Sequence, residues 1–145
     1  MNSNGFDKIH RINYLSAEMD TLYHQASLKI GLADSTMRVL YTIYDNEESC
    51  LLSDIYQQSG ISKQTVNSAI RRLEENAVLS LEPCKGRSKK VLLTEKGKGY
   101  IKQTAARLYE TESNAFSAWS EEETNTYIHL MEKYIDSFRK QLEYL

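Results

Sequence analysis

The chain has 145 residues, a formal net charge of −2 and 41% hydrophobic residues, which suits one domain whose core can form without disulfides or metals. Its two cysteines, Cys50 and Cys84, lack the spacing of a zinc site or of a redox motif, so they favour a reducing cytosol. No apolar stretch approaches the roughly 20 residues of a membrane helix, and residues 1–7 lack the apolar core of a signal peptide. We therefore expect a soluble, cytoplasmic protein without a membrane partner.

The N-terminal part of the chain predicts two helices. Residues 6–30 carry apolar side chains at steps of three and four, which indicates one long amphipathic helix that Gly31 ends. Asp34 or Ser35 can cap a second helix, which closes near residues 45–46.

The next segment carries the signals of two short helices and a tight turn. After a short strand at residues 50–52, residues 52–59 can form a helix, and Gly60 can adopt the left-handed conformation that stops it. Ser62 can then cap the following helix. Two helices joined this tightly predict a helix-turn-helix, whose second helix enters the major groove of DNA.

The outward face of that second helix supplies candidate DNA contacts. An apolar stripe that must pack inward is formed by Val66, Ala69, Ile70 and Leu73. The polar residues that remain are Ser62, Lys63, Gln64, Thr65, Asn67, Ser68 and Arg71. Gln64 and Asn67 are candidate base contacts, since a carboxamide pairs bidentately with adenine. The hydroxyls suit phosphate or base, and Lys63 and Arg71 suit phosphates, which fix register and affinity without carrying sequence information.

A basic β-hairpin follows the helix-turn-helix. Residues 78–81 and 89–93 are rich in β-formers and flank residues 84–88, with Gly86 at the expected tip. This hairpin is the predicted wing. Its candidate DNA contacts are Lys85, Arg87, Lys89 and Lys90. Arg87 suits insertion into the minor groove, and the lysines suit phosphate neutralisation.

Positive charge is concentrated in this part of the chain. Between residues 62 and 98 there are nine basic and four acidic residues, a net charge of +5 in a chain whose total is −2. Such a separation is the electrostatic footprint of a protein that binds a polyanion. For residues 85–90 alone, an ordinary solvated surface is an equally good interpretation.

The C-terminal part predicts further amphipathic helices. Thr94 can cap a helix whose apolar residues continue at helical spacing to Phe116, and residues 120–123 form a capping box that starts the last helix. The first and last helices have apolar faces that need a partner, and two copies of the chain can supply it to each other. The alternative, that both helices fold back onto their own helix-turn-helix, requires a larger surface than that module offers.

These elements together predict a mainly α fold with a small β-hairpin. A winged helix-turn-helix at about residues 34–97 is flanked by dimerisation helices at about 6–30 and 98–145, within a single domain, 1–145.

The segments that carry a resemblance to a known family are Leu32–Leu40, Ser59–Val66, Arg72–Asn76 and Val91–Gly97. On these segments, and on the order of its elements, the chain resembles the MarR family of bacterial transcription regulators over essentially its full length. The Leu-Thr-Glu-Lys-Gly run at residues 93–97 is the most specific of them. One position departs from the family's pattern, because Lys85 stands where an aspartate usually precedes the wing arginine.

The resemblance implies a homodimer that binds a pseudo-palindromic operator in double-stranded DNA, acts as a repressor, and releases DNA when a small molecule binds between its DNA-binding and dimerisation regions. It implies no enzymatic activity and no cofactor. A small aromatic effector could contact an apolar wall with hydroxyls, for which the candidates are Tyr23, Met37, Tyr41 and Tyr44. These side chains suit core or interface packing equally well.

Three alternatives stay open. Cys84 lies beside the wing lysines and could make the protein a redox-sensing regulator. The module could be a protein–protein adaptor whose basic wing binds an acidic partner and not DNA. An enzyme is the weakest alternative, because no nucleophile elbow, phosphate loop, metal-ligand spacing or carboxylate pair stands out, and the scattered histidines do not predict a metal site.

Overall fold

The fold is that of a computed structural model, which describes residues 3–47, 49–86 and 88–145. The helices and strands are α1 (Ser3–Ile30), α2 (Asp34–Asp45), β1 (Ser49–Leu51), α3 (Leu52–Gln58), α4 (Lys63–Glu75), β2 (Leu79–Pro83), β3 (Lys89–Leu93), α5 (Glu95–Gln103), α6 (Ala105–Phe116) and α7 (Glu121–Leu142). The mainly α fold class is confirmed. Two compact units are present, one ending at Leu108 and the other comprising Tyr109–Leu145. The assignment of the chain to a single domain stays a prediction.

The first helix ends where its sequence predicts. Gly31 has a φ of +92°, and its N–H donates to the Ser27 carbonyl at 2.9 Å. The predicted cap of α2 is wrong, because Ala33 occupies the N-cap position and Asp34 is already the first helical residue. The Asp34 carboxylate instead lies 2.7 Å from Nδ1 of His24, which joins the start of α2 to α1.

The turn between α3 and α4 confirms the helix-turn-helix. Gly60 has a φ of +73°, a conformation that L side chains rarely adopt. Ser62 is the N-cap of α4, and its Oγ accepts the N–H of Thr65 at 3.2 Å. At the N-terminal end of α3, the Asp54 carboxylate accepts the N–H of Leu51 at 3.0 Å.

One apolar core joins these helices to the sheet. The predicted inward stripe of α4 is buried, and Val66 has no exposed surface at all. Side chains from the other elements that are equally inaccessible are Val39, Leu40, Ile43, Ile55, Val91 and Ile101. Packing against this core fixes the orientation of α4, so its remaining face is available to a partner.

The sheet contains a third strand, β1, in addition to the two strands of the hairpin. β3 pairs antiparallel with β2 on one side and with β1 on the other, so that Val91 lies opposite both Leu81 and Cys50. The first strand of the wing starts one residue later than predicted and extends to Pro83. Gly86 lies in the turn with a φ of +106°, as its position at the tip predicts.

The start of α5 is fastened to the end of α4. The Thr94 hydroxyl accepts the N–H of Gly97 at 3.0 Å, which confirms its capping role, and lies 2.5 Å from the carbonyl oxygen of Ala77. Lys96 Nζ donates to the Asn76 carbonyl, the C-cap of α4, at 2.7 Å. Gly97 itself leaves no space, since an added Cβ would lie 1.8 Å from the carbonyl oxygen of Val78. We call these contacts the α4–α5 clamp.

The single helix predicted to run from its cap at Thr94 to Phe116 is wrong, because the structure breaks it at Thr104, with φ −124° and ψ −94°. In a continuous helix the Tyr100 carbonyl would accept the N–H of Thr104. Here the Thr104 hydroxyl occupies that carbonyl at 2.8 Å, and the N–H donates to Ile101 at 3.2 Å. The helical hydrogen-bond pattern is therefore interrupted at Thr104, whose hydroxyl takes the place of its own N–H at the Tyr100 carbonyl.

The second unit begins α7 with the predicted capping box. Ser120 Oγ accepts the N–H of Glu123 at 3.1 Å, and the Glu123 carboxylate accepts the N–H of Ser120 at 2.9 Å. The hydrogen bond from the Ser120 N–H, with a smaller contribution from the Ser120 side chain, stabilises the charged carboxylate and lowers the pKa of Glu123 below its usual value. Before α7, the Trp119 ring meets Phe116 edge to face, with ring centroids 4.9 Å apart.

Each unit leaves an apolar row exposed. On α1, the α1 stripe comprises Ile9, Ile12, Leu15, Met19 and Leu22, each between 45% and 59% exposed. On α7, the α7 stripe comprises Leu130, Met131, Tyr134, Ile135, Phe138 and Leu142, each between 45% and 63% exposed. These two surfaces are the predicted dimerisation surfaces. Within the part of the chain that the structure describes, every helix is too short or too polar to cross a bilayer.

Candidate nucleic-acid interface

The exposed face of α4 presents most of the polar residues that the sequence predicts as DNA contacts. Lys63, Gln64, Ser68 and Arg71 are exposed, and Asn67 is half-buried. The Ser68 hydroxyl donates to the Gln64 carbonyl at 3.1 Å, so its proton is engaged within the helix while its lone pairs remain available as acceptors.

The first turn of α4 is held by its own hydroxyls. Ser62 Oγ accepts the N–H of Thr65 and lies 2.7 Å from Thr65 Oγ1. These two residues therefore shape the start of the helix, and their value as separate DNA contacts is reduced.

A tyrosine of α3 orders the N-terminal half of α4. The Tyr56 hydroxyl donates a short hydrogen bond to Oδ1 of Asn67. Lys63 Nζ lies over the same ring, 5.0 Å from its centroid, in the geometry of a cation–π contact. Sequence reasoning assigned Tyr56 no role at DNA, because this contact joins residues 11 positions apart on different helices. Only the crossing of α3 and α4 brings them together.

A groove of about 520 Å³ lies between α3, α4 and the wing. Its lining residues are Leu52, Ser53, Tyr56, Lys63, Asn67, Ile70, Arg71, Glu74, Leu81, Ser88 and Lys89. The N–H of Ser53 donates to Ser88 Oγ at 3.1 Å, which fastens the base of the wing to the start of α3. The groove thus combines three basic side chains with one carboxylate on a single surface.

The wing presents its lysines to solvent. Lys85, Lys89 and Lys90 are exposed, and β3 places Lys89 opposite Pro83 and Lys90 opposite Glu82. Arg87, the predicted minor-groove residue, lies outside the described residues. In the described part of the wing, the positive charge therefore comes from these three lysines.

The four candidate ligand residues lie in different environments. Met37 is 3% exposed and belongs to the core, Tyr41 and Tyr44 are half-buried against it, and Tyr23 is 42% exposed. A cavity of about 480 Å³ lies nearby without including any of them. Its lining residues are Ile30, Gly31, Leu32, Tyr100, Lys102, Gln103, Thr104 and Arg107.

The two cysteines differ in their surroundings. Burial, with a smaller contribution from the negative charge of Asp54, raises the pKa of Cys50 to about 11. This residue is therefore a protonated thiol at neutral pH, which makes it a poor nucleophile. Cys84 is exposed beside the wing, so a redox response would depend on Cys84.

Comparisons with known proteins agree with this geometry. The MarR family model matches residues 30–88, and a search of curated proteins finds no match to the sequence. Solved structures with the same fold include NMB1585, a MarR family regulator from Neisseria meningitidis, with a TM-score of 0.78 and 22% identity, covering 99% of this chain and 98% of that one. The S. aureus MepR–DNA complex gives a TM-score of 0.65 and 21% identity, covering 89% and 96% of the two chains.

A third structure concerns regulation by a ligand. Bordetella bronchiseptica BpsR, solved in a study of how 6-hydroxynicotinic acid regulates its DNA binding, gives a TM-score of 0.65 and 18% identity, covering 86% of this chain and 98% of that one. At these identities the three structures establish the fold of this chain.

Proposed function

We propose that the chain, whose residues 30–88 match the MarR family model, is a transcriptional regulator that binds specific sequences in double-stranded DNA as a homodimer. The observation that carries the proposal is the polar face of α4, which is capped by Ser62 and shares a groove with Lys89 of the wing. A helix presented in this way fits the major groove, and the basic wing fits the phosphates beside it. The MepR–DNA complex supports the same use of the fold.

The test separates affinity from sequence choice. Sites are first selected from random duplexes with the purified protein, and affinity is then measured at several salt concentrations. Lys89→Ala is expected to weaken binding to all sequences and to reduce the salt slope by about one unit, because it removes one phosphate contact. Gln64→Ala is expected to cost about 1–3 kcal/mol at one base pair and to relax the choice there, with the salt slope unchanged.

Lys133→Ala is the matched control for charge, because it removes an exposed lysine of α7, outside the helix-turn-helix and the wing. It should change neither the affinity for duplexes nor the salt slope. Equal losses on selected and random duplexes for both Lys89→Ala and Gln64→Ala would mean that α4 does not read the sequence. No duplex affinity at moderate salt would favour a protein–protein adaptor.

The homodimer is proposed on the exposed α1 and α7 stripes, which a second copy of the chain would cover. A two-fold dimer places the two copies of α4, one from each subunit, about one helical turn of DNA apart. The preferred site should therefore be an inverted repeat with half-site centres roughly 10 base pairs, or a multiple of that distance, apart.

We further propose that the protein is a repressor that a small aromatic anion releases from DNA. The 480 Å³ cavity combines the ring of Tyr100 with the basic side chains of Lys102 and Arg107, which suits a ring that carries a carboxylate. Release requires only that the ligand prefer a form of the dimer that does not fit DNA.

Salicylate is a suitable probe for this proposal. It is expected to lower operator affinity, and Lys102→Ala should blunt that response while leaving ligand-free DNA binding intact, whereas Tyr41→Ala should blunt it if the predicted tyrosine wall is the site instead. Lys133→Ala again serves as the control. If a broad panel of aromatic acids has no effect, while oxidation abolishes binding and Cys84→Ser restores it, the redox alternative is correct.

A further inference from the structure

The side chain of Asn67 does not face DNA freely. Its Oδ1 accepts the hydrogen bond of the Tyr56 hydroxyl, and both side chains are half-buried, so water competes weakly for this contact. The ammonium group of Lys63 lies over the Tyr56 ring, and its positive charge favours the hydroxyl as a donor. The amide oxygen of Asn67 is thereby engaged by Tyr56, and Asn67 itself lines the groove between α3, α4 and the wing.

This orientation changes what Asn67 can recognise. Bidentate pairing with adenine needs the amide oxygen, to accept from N6, and the amide nitrogen, to donate to N7. With one of the two lone pairs of Oδ1 taken by Tyr56, the amide is better placed to donate than to accept, and it favours a base edge that offers only acceptors. Guanine, with N7 and O6, is the purine that presents such an edge in the major groove.

We infer that Tyr56 is a positioning residue for DNA readout, which directs Asn67 to a guanine and not to an adenine. The inference rests on the proposed function, since it concerns the same interface. Lys63 has a supporting part, because it is the first residue of α4 and reaches back over the ring that holds Asn67, one helical turn further on.

The experiment compares base preference in four proteins: the unaltered chain, Tyr56→Phe, Asn67→Ala and the double variant. Selection from random duplexes identifies the base pair whose preference disappears in Asn67→Ala. At that position the unaltered protein is expected to prefer guanine. Tyr56→Phe keeps the ring and the Lys63 contact but frees the amide oxygen of Asn67. The preference for guanine over adenine should then fall by roughly tenfold or reverse, within the range that one bidentate contact provides.

Other readouts distinguish this role from a purely structural one. Tyr56→Phe removes no charge, so it should leave the salt slope unchanged, and it should have no further effect on that base pair once Asn67 is alanine. Tyr144→Phe, at a tyrosine that is 82% exposed near the C-terminus, is the matched control and should change nothing. Circular dichroism and thermal melting establish that each variant is folded.

Several outcomes would overturn the inference. They are a preference of the unaltered protein for adenine at the Asn67-dependent position, an unchanged preference in Tyr56→Phe, or an Asn67→Ala variant with no altered position. All three leave the proposed function intact if the protein selects a defined sequence. If the unaltered protein selects no sequence and binds no duplex, the proposed function fails and the inference fails with it.

Discussion

Replacing Gly97 with alanine is expected to lower the free energy of unfolding by at least about 3 kcal/mol, at the upper end of what overpacking costs. The added methyl group would lie 1.8 Å from the carbonyl oxygen of Val78 and 2.9 Å from its carbonyl carbon. Both are backbone atoms next to β2, so no side-chain rotation can relieve the overlap. A shift in the backbone would also disturb the α4–α5 clamp, because the Gly97 N–H is bonded to Thr94.

Chemical denaturation measures this change, and thermal melting should show a loss of about 10 °C for a domain of this size. Gly99→Ala is the matched control, because it makes the same substitution two residues later in α5, where no atom lies within 4 Å of the new methyl group. That variant should be more stable by about 0.5–1 kcal/mol, since alanine favours helix formation. Equal effects of the two variants would contradict the close approach of Gly97 to Val78.

Replacing apolar residues of the two exposed stripes with glutamate is expected to convert the proposed dimer into monomers. Leu22 is 59% exposed and Leu142 is 47% exposed in the isolated chain, so glutamate at either position should leave the folded subunit stable. In a dimer, the burial of each of these side chains would contribute about 1.5–3 kcal/mol to the free energy of association. Two-fold symmetry would place two copies of each side chain in the interface. A single substitution should therefore raise the dissociation constant roughly a hundredfold or more.

Analytical ultracentrifugation at micromolar concentration measures this effect for Leu22→Glu, for Leu142→Glu and for the double variant. Ala17→Glu adds the same charge to α1 away from the α1 stripe, at a residue that is also exposed, and should remain dimeric. The dimer is excluded if the unaltered chain is a well-folded monomer under these conditions. The variants should also lose affinity for the inverted repeat more than for a single half-site.

Features that depend on neighbouring residues were predictable from the sequence. Gly60 and Ser62 fix the turn of the helix-turn-helix, and Ser120 with Glu123 fixes the start of α7, because a turn or a cap forms within four or five residues. The inward stripe of α4 followed from helical periodicity. In each case the physical cause is local and leaves a pattern in the sequence.

Features that depend on contacts between elements were not predictable. Asp34 has the chemistry of a helix cap, but its carboxylate meets His24 on α1, ten residues away. The break at Thr104 has no signature in the threonine itself, because Thr21 and Thr42 make the same side-chain hydrogen bond within unbroken helices. The contact between Tyr56 and Asn67 requires the crossing of two helices. The candidate DNA contacts were therefore identified by type, whereas the orientation of Asn67 required the structure.

The α4–α5 clamp has a mechanical consequence. α5 is a rod of nine residues, about 13 Å long, and a short helix bends little over that length. Thr94 and Lys96 fix one end of the rod to the end of α4, and Lys102 and Gln103 at its other end form part of the wall of the 480 Å³ cavity. A molecule that fills the cavity would therefore contact one end of α5, and the opposite end of α5 is fastened to α4. A tilt of α5 would therefore be transmitted to the end of α4 through the α4–α5 clamp.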